Sequence, residues 1–181
     1  STTIKPSNSS QPIVYFNNSE TDDAVLDGFT LTGGGDNNGS AINISSGNPR
    51  IENSIIKNNS NNAVYVKRPS VFKNSLFYDN PVSAIRVSTG NPAEFVNCTI
   101  ANNGVGIYNP VEPNDVILKN TIVYGNSTNV SKLGYVAFYN SYLENKENGL
   151  DRGGNIFSDP FFVDPANGNF KLQDYSPAIG A

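Results

Sequence analysis

Residues 51–59 read Ile-Glu-Asn-Ser-Ile-Ile-Lys-Asn-Asn, and this pattern decides the fold because the chain repeats it. It returns as Phe-Lys-Asn-Ser-Leu-Phe-Tyr-Asp-Asn at 72–80, Phe-Val-Asn-Cys-Thr-Ile-Ala-Asn-Asn at 95–103 and Leu-Lys-Asn-Thr-Ile-Val-Tyr-Gly-Asn at 118–126. Asn and Gly tolerate the left-handed backbone angles that sharp corners require. Each copy therefore indicates short β-strands that are punctuated by tight turns.

The spacing of the copies predicts the architecture. With two looser copies at 26–33 and 138–145, the third position falls at 28, 53, 74, 97, 120 and 140, so the steps are 25, 21, 23, 23 and 20 residues. Such a period is typical of a solenoid, in which each repeat stacks on its neighbours. Leucine-rich repeats share the period, but their leucine pattern and helical return are missing here. We therefore predict an all-β, single-stranded parallel β-helix of about six to seven coils.

A second strand segment follows each copy of the pattern. Its apolar residues alternate at 41–44, 63–66, 84–87 and 106–109, as a strand with one buried face demands. Corners with Pro, including Gly47-Asn48-Pro49 and Gly90-Asn91-Pro92, close the coils, and a short third strand is expected to lead into the next pattern. From 127 the pattern loosens, and 127–135 reads as a polar insertion whose second strand is weak or absent.

The domain organisation follows from these repeats. Residues 1–181 form one β-helix domain, with a partial first coil at 1–24, regular coils at 25–145 and an irregular C-terminal cap at 146–181 that lays aromatic residues over the last coil. No capping helix is visible before residue 25, although the open end of a solenoid needs a cover. We expect a domain excised from a larger protein, or a partner that covers this end.

Composition excludes several classes of function. The net charge is −4 without a basic patch, which argues against nucleic-acid binding, and no apolar run is long enough for membrane insertion. The absence of His and the single Cys nearly exclude zinc ligation and His-based catalytic triads. Cys98 occupies a place that Ser or Thr fills in the other copies, so it is predicted to be a small inward residue.

The chain resembles the right-handed parallel β-helix of the pectate-lyase-like superfamily. The resemblance rests on the repeats, on residues 25–33 and on 155–180, where Asp-Pro-Phe-Phe-Val-Asp-Pro, Gly-Asn-Phe-Lys-Leu and Ser-Pro-Ala-Ile are similar to the closing segment of bacterial secreted and surface β-helix proteins. It implies a secreted or cell-surface location and a bacterial source. The superfamily includes lyases, hydrolases, adhesins and binding modules, and no catalytic residue carries over to this chain.

One outward column of the second strand segment is the candidate ligand-binding site. Alignment of the coils stacks the residues of this column in the order Tyr15, Asn43, Tyr65, Arg86 and Tyr108, with Lys67 and Arg68 close by. Tyrosines on alternate coils would lie roughly 10 Å apart, a spacing that suits successive sugar rings, while arginine offers donors to hydroxyls or a uronate. The alternative is that these tyrosines serve only β-propensity and ladder stacking.

Other columns are expected to be structural. An Asn ladder is predicted from Asn53, Asn74, Asn97, Asn120 and Asn140, tucked into the corners with Asn97 pointing inward. An apolar outward column comprises Ile55, Leu76, Thr99, Ile122 and Tyr142. Such a column is expected to be covered, either by a partner or by a loop of the same chain such as 127–135 or the terminal segment. The loop is the favoured alternative. Asp22, Asp23, Asp27, Asp36, Asp159 and Asp164 follow no calcium-loop spacing, so no metal site is assigned and only structural calcium stays open.

These observations favour an extracellular, non-catalytic carbohydrate-binding or cell-surface adhesion module. Its expected partners are a polysaccharide or glycan and other domains of the same chain, without a cofactor. One alternative is a polysaccharide lyase or glycoside hydrolase, or a fragment of one, whose only candidate cluster is Tyr65 or Tyr108 with Arg86 or Lys67. A structural spacer of a surface protein is the second alternative.

Overall fold

The computed structural model describes residues 2–8, 10–36, 40–88, 92–110, 115–132, 135–145 and 149–179. Within these ranges the chain winds around one long axis as a right-handed, all-β parallel solenoid of about six coils, which confirms the predicted fold class. The described residues contain no α-helix, and the only helical turn is the 3-10 turn Pro165–Asn167. No helix in these ranges has the length and hydropathy needed to cross a membrane.

Each complete coil consists of three strands. The first three coils comprise β1 (Thr2–Ile4), β2 (Val14–Phe16), β3 (Val25–Asp27), β4 (Phe29–Thr32), β5 (Ile42–Ile44), β6 (Arg50–Glu52), β7 (Ile55–Lys57), β8 (Asn62–Val66) and β9 (Ser70–Lys73). The next three comprise β10 (Leu76–Tyr78), β11 (Ser83–Val87), β12 (Ala93–Val96), β13 (Thr99–Ala101), β14 (Val105–Asn109), β15 (Asp115–Lys119), β16 (Ile122–Tyr124), β17 (Thr128–Lys132) and β18 (Tyr135–Tyr139). A partial coil follows, with β19 (Tyr142–Leu143), β20 (Leu150–Asp151) and β21 (Ile156–Phe157).

Strands at the same place in successive coils pair in parallel and build three sheets. The first sheet runs β1-β4-β7-β10-β13-β16-β19-β21, the second β2-β5-β8-β11-β14-β17, and the third β3-β6-β9-β12-β15-β18-β20. Inside them lies a narrow core, in which the Phe72 and Phe95 rings stack at 4.6 Å and the Phe77 ring meets both edge-on. Such aromatic pairs add to the stability that burial of the rings already provides.

The segment at 127–135 is not the strandless insertion that its composition suggests. It contains β17, which pairs in parallel with β14, and Val130 is buried in the core. One inward apolar residue is sufficient for a strand to form here, because the neighbouring coil supplies the hydrogen-bond partners of the backbone and the rest of the core contacts. The corner predicted at Gly90-Asn91 lies outside the described residues.

The predicted Asn ladder lies on the outside of the corners, so the expectation that Asn97 points inward is wrong. All five residues have left-handed φ angles between 46° and 54°, and their side chains are exposed. The Asn74 amide donates to Asn53 Oδ1 at 3.2 Å, and the Asn97 amide donates to Asn74 Oδ1 at 3.3 Å. A left-handed corner turns the Asn side chain away from the core, and the small residue that follows points inward.

A second Asn ladder occupies the ninth position of the pattern and is buried, although sequence reasoning did not single it out. Its members are Asn59, Asn80, Asn103 and Asn126. Each of the first three amides donates to the Oδ1 of the next Asn, at 3.1, 2.9 and 2.9 Å. The same Oδ1 atoms accept hydrogen bonds from the backbone N–H groups of the preceding coil, so the ladder satisfies the buried corner.

The small residues after the exposed Asn form a third column inside the solenoid. The Cys98 N–H donates to Thr121 Oγ1 at 3.3 Å, and the Thr121 N–H donates to Ser141 Oγ at 3.2 Å. Cys98 is 2% exposed, and its thiol contacts the carbonyl oxygens of Phe72 and Val96. Burial raises the pKa of the Cys98 thiol to about 12. The cysteine is thus an inward residue of the column and an unreactive thiol.

The C-terminal segment does not lay its aromatic residues over the last coil alone. Residues 150–157 add the partial coil, and Phe157 packs against the core. The chain then turns back along the first sheet as an antiparallel hairpin of β22 (Phe162–Asp164) and β23 (Asn169–Leu172). The Phe162 ring lies 6.3 Å from that of Tyr124, and the Phe170 ring lies 5.1 Å from that of Tyr78.

Candidate functional site

The outward column of the second sheet is in register over its whole predicted length. Tyr15 pairs with Asn43, Asn43 with Tyr65, Tyr65 with Arg86, and Arg86 with Tyr108. Adjacent members therefore lie one coil apart, because parallel strands place equivalent residues side by side. The side chains that were predicted to stack from the alignment of the repeats therefore do lie in one column. Ser131 of β17 extends this column by one coil.

The exposure of this column differs from the expected flat row of rings. Tyr15 is 49% exposed, but Tyr65 is only 7% exposed and its hydroxyl hydrogen-bonds to Ser88 Oγ at 2.7 Å. Asn43, between the two tyrosines, is also buried. An uninterrupted aromatic platform is therefore absent from this column, because the middle of the row is occupied by side chains that cover one another.

Arg86 is the centre of the column. Its guanidinium carbon lies 5.5 Å from the Tyr65 ring centroid and 5.6 Å from the Tyr108 ring centroid, so the cation is held between two aromatic faces. The Lys67 ammonium lies 5.2 Å from the Tyr65 centroid. The sheet thus presents two cations on a rigid aromatic support, with Arg86 and Tyr108 both partly exposed.

Two polar atoms of the column lack a hydrogen-bond partner in the part of the chain that the structure describes. They are the buried Nε of Arg86 and the buried Oδ1 of Asn43, which lie on either side of Tyr65. Within the same residues no carboxylate lies within ion-pair distance of Arg86. Arg68 is exposed, and among the described residues its guanidinium forms neither an ion pair nor a cation–π contact with the tyrosines of the column.

The structure brings together the four residues of the candidate catalytic cluster. They are Lys67, Arg86, Tyr65 and Tyr108. A glycoside hydrolase also needs a pair of carboxyl groups across the scissile bond. None of the ion pairs among the described residues brings a carboxylate to this cluster. The assembled chemistry is therefore cationic and aromatic, which suits recognition of an anionic or polyhydroxylated ligand.

The scattered carboxylates have local roles. Asp27 accepts a hydrogen bond from the Asn53 amide at 2.8 Å, and Asp159 accepts one from the Phe161 N–H at 2.7 Å. Partial burial raises the pKa of Asp79, and the nearby Lys57 opposes that shift. Among the described residues no three His, Cys, Asp or Glu side chains converge on a point where they could hold a metal ion.

The apolar column of the first sheet lies under the terminal segment, whereas the described residues Thr128–Lys132 form β17 in the second sheet. The hairpin packs over Tyr78 and Tyr124, and the Asn102 amide donates to the Pro165 carbonyl at 3.1 Å. Burial raises the pKa of Tyr124, and the nearby Asp159 and Glu144 carboxylates raise it further. Leu76, Thr99 and Ile122 lie beside this segment and are partly exposed, as is Ile55, while Tyr142 is buried.

The third sheet carries two exposed aromatic residues that the sequence reasoning missed. Tyr135 and Tyr139 are 51% and 36% exposed at the two ends of β18. The signal was present in Tyr-Val-Ala-Phe-Tyr, where alternation places Val136 and Phe138 inside and both tyrosines outside. The alternation was overlooked because the residues up to Tyr135 were interpreted as a polar insertion.

A comparison with family models finds one described as "Right handed beta helix region", which matches residues 40–158. The match covers 119 of the 181 residues and includes the second sheet from Asn43 to Tyr108 as well as β18. A search of curated proteins and a search of solved structures each gave no significant match.

Proposed function

The chain belongs to the right-handed beta helix region family, and from this premise we propose that it is a non-catalytic carbohydrate-binding module. The ligand we assign to it is an acidic polysaccharide, bound along the outer face of the second sheet. Parallel strands give that face a repeat of about 4.8 Å, so one rigid surface can meet successive units of an extended polymer. The column of Tyr15, Asn43, Tyr65, Lys67, Arg86 and Tyr108 is the proposed binding surface.

The observation that carries the proposal is the position of Arg86 between two rings. Stacking on Tyr65 and Tyr108 holds the guanidinium in place, so little side-chain freedom is lost when a ligand binds. Arg86 has no ion-pair partner among the described residues, in a chain whose net charge is −4. A planar guanidinium matches the geometry of a carboxylate, which is the group that distinguishes a uronate from a neutral sugar.

The exposed rings complete the surface. Tyr15 is free to stack on the apolar face of a sugar, and the partly exposed Tyr108 flanks the cation on the other side. Tyr65 contributes as support and not as a platform, because it is buried and its hydroxyl is engaged by Ser88. We place the protein outside the cell, as a secreted or surface-attached module that works with other domains of its chain. A bacterial source and kinship with pectate-lyase-like proteins belong to the same proposal.

The test measures retention on immobilised polygalacturonate and binding of hexagalacturonate by calorimetry. Arg86→Ala is expected to weaken binding about tenfold or more, since hydrogen bonds to charged groups contribute about 1.5–3 kcal/mol. Arg68→Ala, which removes an exposed arginine outside the column, is the matched control and should bind as the unmodified protein does. If Arg86→Ala binds the ligand as tightly as Arg68→Ala does, the proposal is wrong. Release of reducing ends or unsaturated products in the same samples would favour the polysaccharide lyase or hydrolase alternative.

A further inference from the structure

The outer face of the third sheet carries a depression that the assigned site does not use. Along β18 the side chains of Tyr135, Ala137 and Tyr139 point outward, and the two tyrosines are 51% and 36% exposed. Four residues of a strand separate them by about 13 Å along its axis. The small Ala137 between them leaves a gap with an aromatic side chain at each end.

Neighbouring strands give this gap a floor and a rim. Ile117 of β15 and Leu150 of β20 both pair with Ala137, so the floor is apolar across three strands. The resulting cavity has a volume of about 430 Å³ and is also lined by Arg152. Pockets for small organic ligands begin at about 300 Å³, so this cavity is large enough for a ligand. We call it the β18 cavity.

We propose that the β18 cavity is a second sugar-binding site, separate from the Arg86 column. Its ligand is a pyranose oligosaccharide whose apolar ring faces lie against Tyr135 and Tyr139 and whose oxygen atoms reach Arg152. The tyrosines combine an apolar ring with a polar hydroxyl, which is the combination that a sugar requires. Exposure is the argument against a purely packing role, because large rings that serve only the core are buried.

The charges around the cavity fit an oxygen-rich ligand. Lys119 on β15 is neutralised by Glu94, whose Oε1 lies 2.7 Å from its ammonium. Arg152 is exposed and has no ion-pair partner among the described residues. Asp151, the neighbouring carboxylate, accepts hydrogen bonds from the Gly153 N–H and the Asn155 amide. Among the described residues the cavity therefore offers the Arg152 guanidinium, which has no ion-pair partner, beside an apolar floor.

This second site does not rest on the first. Arg86 lies on the second sheet, whereas Tyr135 and Tyr139 lie on the third, so the two surfaces face different sides of the solenoid. A variant at one surface leaves the coils of the other intact. Failure of one proposal can thus be recognised without failure of the other.

The experiment screens the protein on an array of immobilised neutral and uronate-containing oligosaccharides. Four variants are compared on it: the Tyr135→Ala, Tyr139→Ala double variant, Tyr135→Phe, Arg86→Ala and Tyr175→Ala. Tyr175→Ala is the matched control, since Tyr175 is 70% exposed on the terminal segment. Arg86→Ala and Tyr175→Ala should bind at least one oligosaccharide of the array as tightly as the unmodified protein does. The double variant should bind that same oligosaccharide at least tenfold more weakly. Tyr135→Phe should keep most of the binding, because the ring face remains.

Three results overturn the proposal. One is that the double variant, shown to be folded by its circular dichroism, binds every oligosaccharide of the array as the unmodified protein does. Another is that the unmodified protein binds none of them. Binding lost in Arg86→Ala alone also overturns it, and leaves the Arg86 column as the site of all sugar binding.

Discussion

The Asn103 amide donates a hydrogen bond of 2.9 Å to Asn126 Oδ1, one coil further along the solenoid, and both side chains are buried. The same amide nitrogen lies 3.0 Å from the Phe77 carbonyl and 2.9 Å from the Ala101 carbonyl. Asn103 Oδ1 in turn accepts hydrogen bonds from the backbone and side chain of Asn80. One side chain therefore ties three successive coils together.

Asn103→Ala is expected to destabilise the protein by about 3 kcal/mol. The substitution removes the donor that the Phe77, Ala101 and Asn126 oxygens share. It also leaves the buried Asn80 backbone N–H without an acceptor, although the Asn80 amide keeps the Ile56 and Tyr78 carbonyls. Each buried unsatisfied group costs about 1–3 kcal/mol. Urea unfolding followed by circular dichroism measures the loss. Asn97→Gly is the matched control, since Asn97 is exposed, has a φ of 54° that glycine accepts, and should lose less than about 1 kcal/mol. Equal losses would show that burial of the ladder is unimportant.

The left-handed corners predict a difference between two substitutions at one position. Asn120 has a φ of 49°, and its backbone N–H donates to the Tyr139 carbonyl in any variant. Asn120→Ala should therefore be less stable than Asn120→Gly by about 1 kcal/mol, because a Cβ is disfavoured in this conformation. Thermal unfolding of the two variants side by side tests this. A more stable alanine variant would contradict the corner geometry.

The buried thiol predicts a dependence of stability on pH. Burial raises the pKa of Cys98 to about 12 from an ordinary value of 9.0. The thiol is protonated in both states below about pH 9, whereas between about pH 9 and 12 the unfolded chain loses this proton first. The contribution of the cysteine is thus complete below pH 9 and declines as pH rises toward 12. Urea unfolding at a series of pH values, compared with Cys98→Ser, isolates this decline.

The serine variant is also the structural control for that experiment. Serine and threonine occupy the same column in other coils, so Cys98→Ser should fold and lack the alkaline decline. The native thiol should react with a thiol reagent at pH 8 only as fast as the protein unfolds. Rapid modification of the folded protein, or the same alkaline decline in Cys98→Ser, would show that the thiol is not held in the core.

The returning hairpin predicts a local change in protease sensitivity. Phe162 contacts the rings of Tyr124 and Phe170, so Phe162→Ala should loosen the hairpin while the coils stay folded. Trypsin should then cut after the exposed Lys171 at least several times faster. Val163→Ala, a substitution at the neighbouring residue with 50% exposure, is the control and should be cut at the original rate. Unchanged cleavage of Phe162→Ala would show that these rings do not hold the hairpin.

Part of the candidate site was predictable from the repeat. The period placed Tyr65, Arg86 and Tyr108 on adjacent coils, and the strand register has them there. Their exposure was not predictable, because it depends on the hydroxyl partner of Tyr65 and on the insertion of Arg86 between the rings. Periodicity assigns a side chain to the outer face, but it does not say what the neighbouring side chains place over it.

The two Asn columns also show that a repeat pattern does not determine which side chains are exposed. Asn97 and Asn103 are both Asn residues of one pattern, and only the backbone angles decide which is exposed and which is buried. The strand at Thr128–Lys132 was missed for a related reason, since its single buried apolar residue carries too weak a periodic signal. Pairing with β14 supplies what the local sequence lacks.

The amino-acid sequence by itself determined the coil length, the parallel stacking and the membership of each column, because a repeat of apolar and Asn residues fits only one register between successive coils. The tertiary structure decided the rest: which columns meet solvent, where the hairpin of Phe162 and Phe170 returns, and that Tyr135 and Tyr139 frame a cavity. These features arise between segments that are distant along the chain, so their free energy is set by packing that no local pattern encodes.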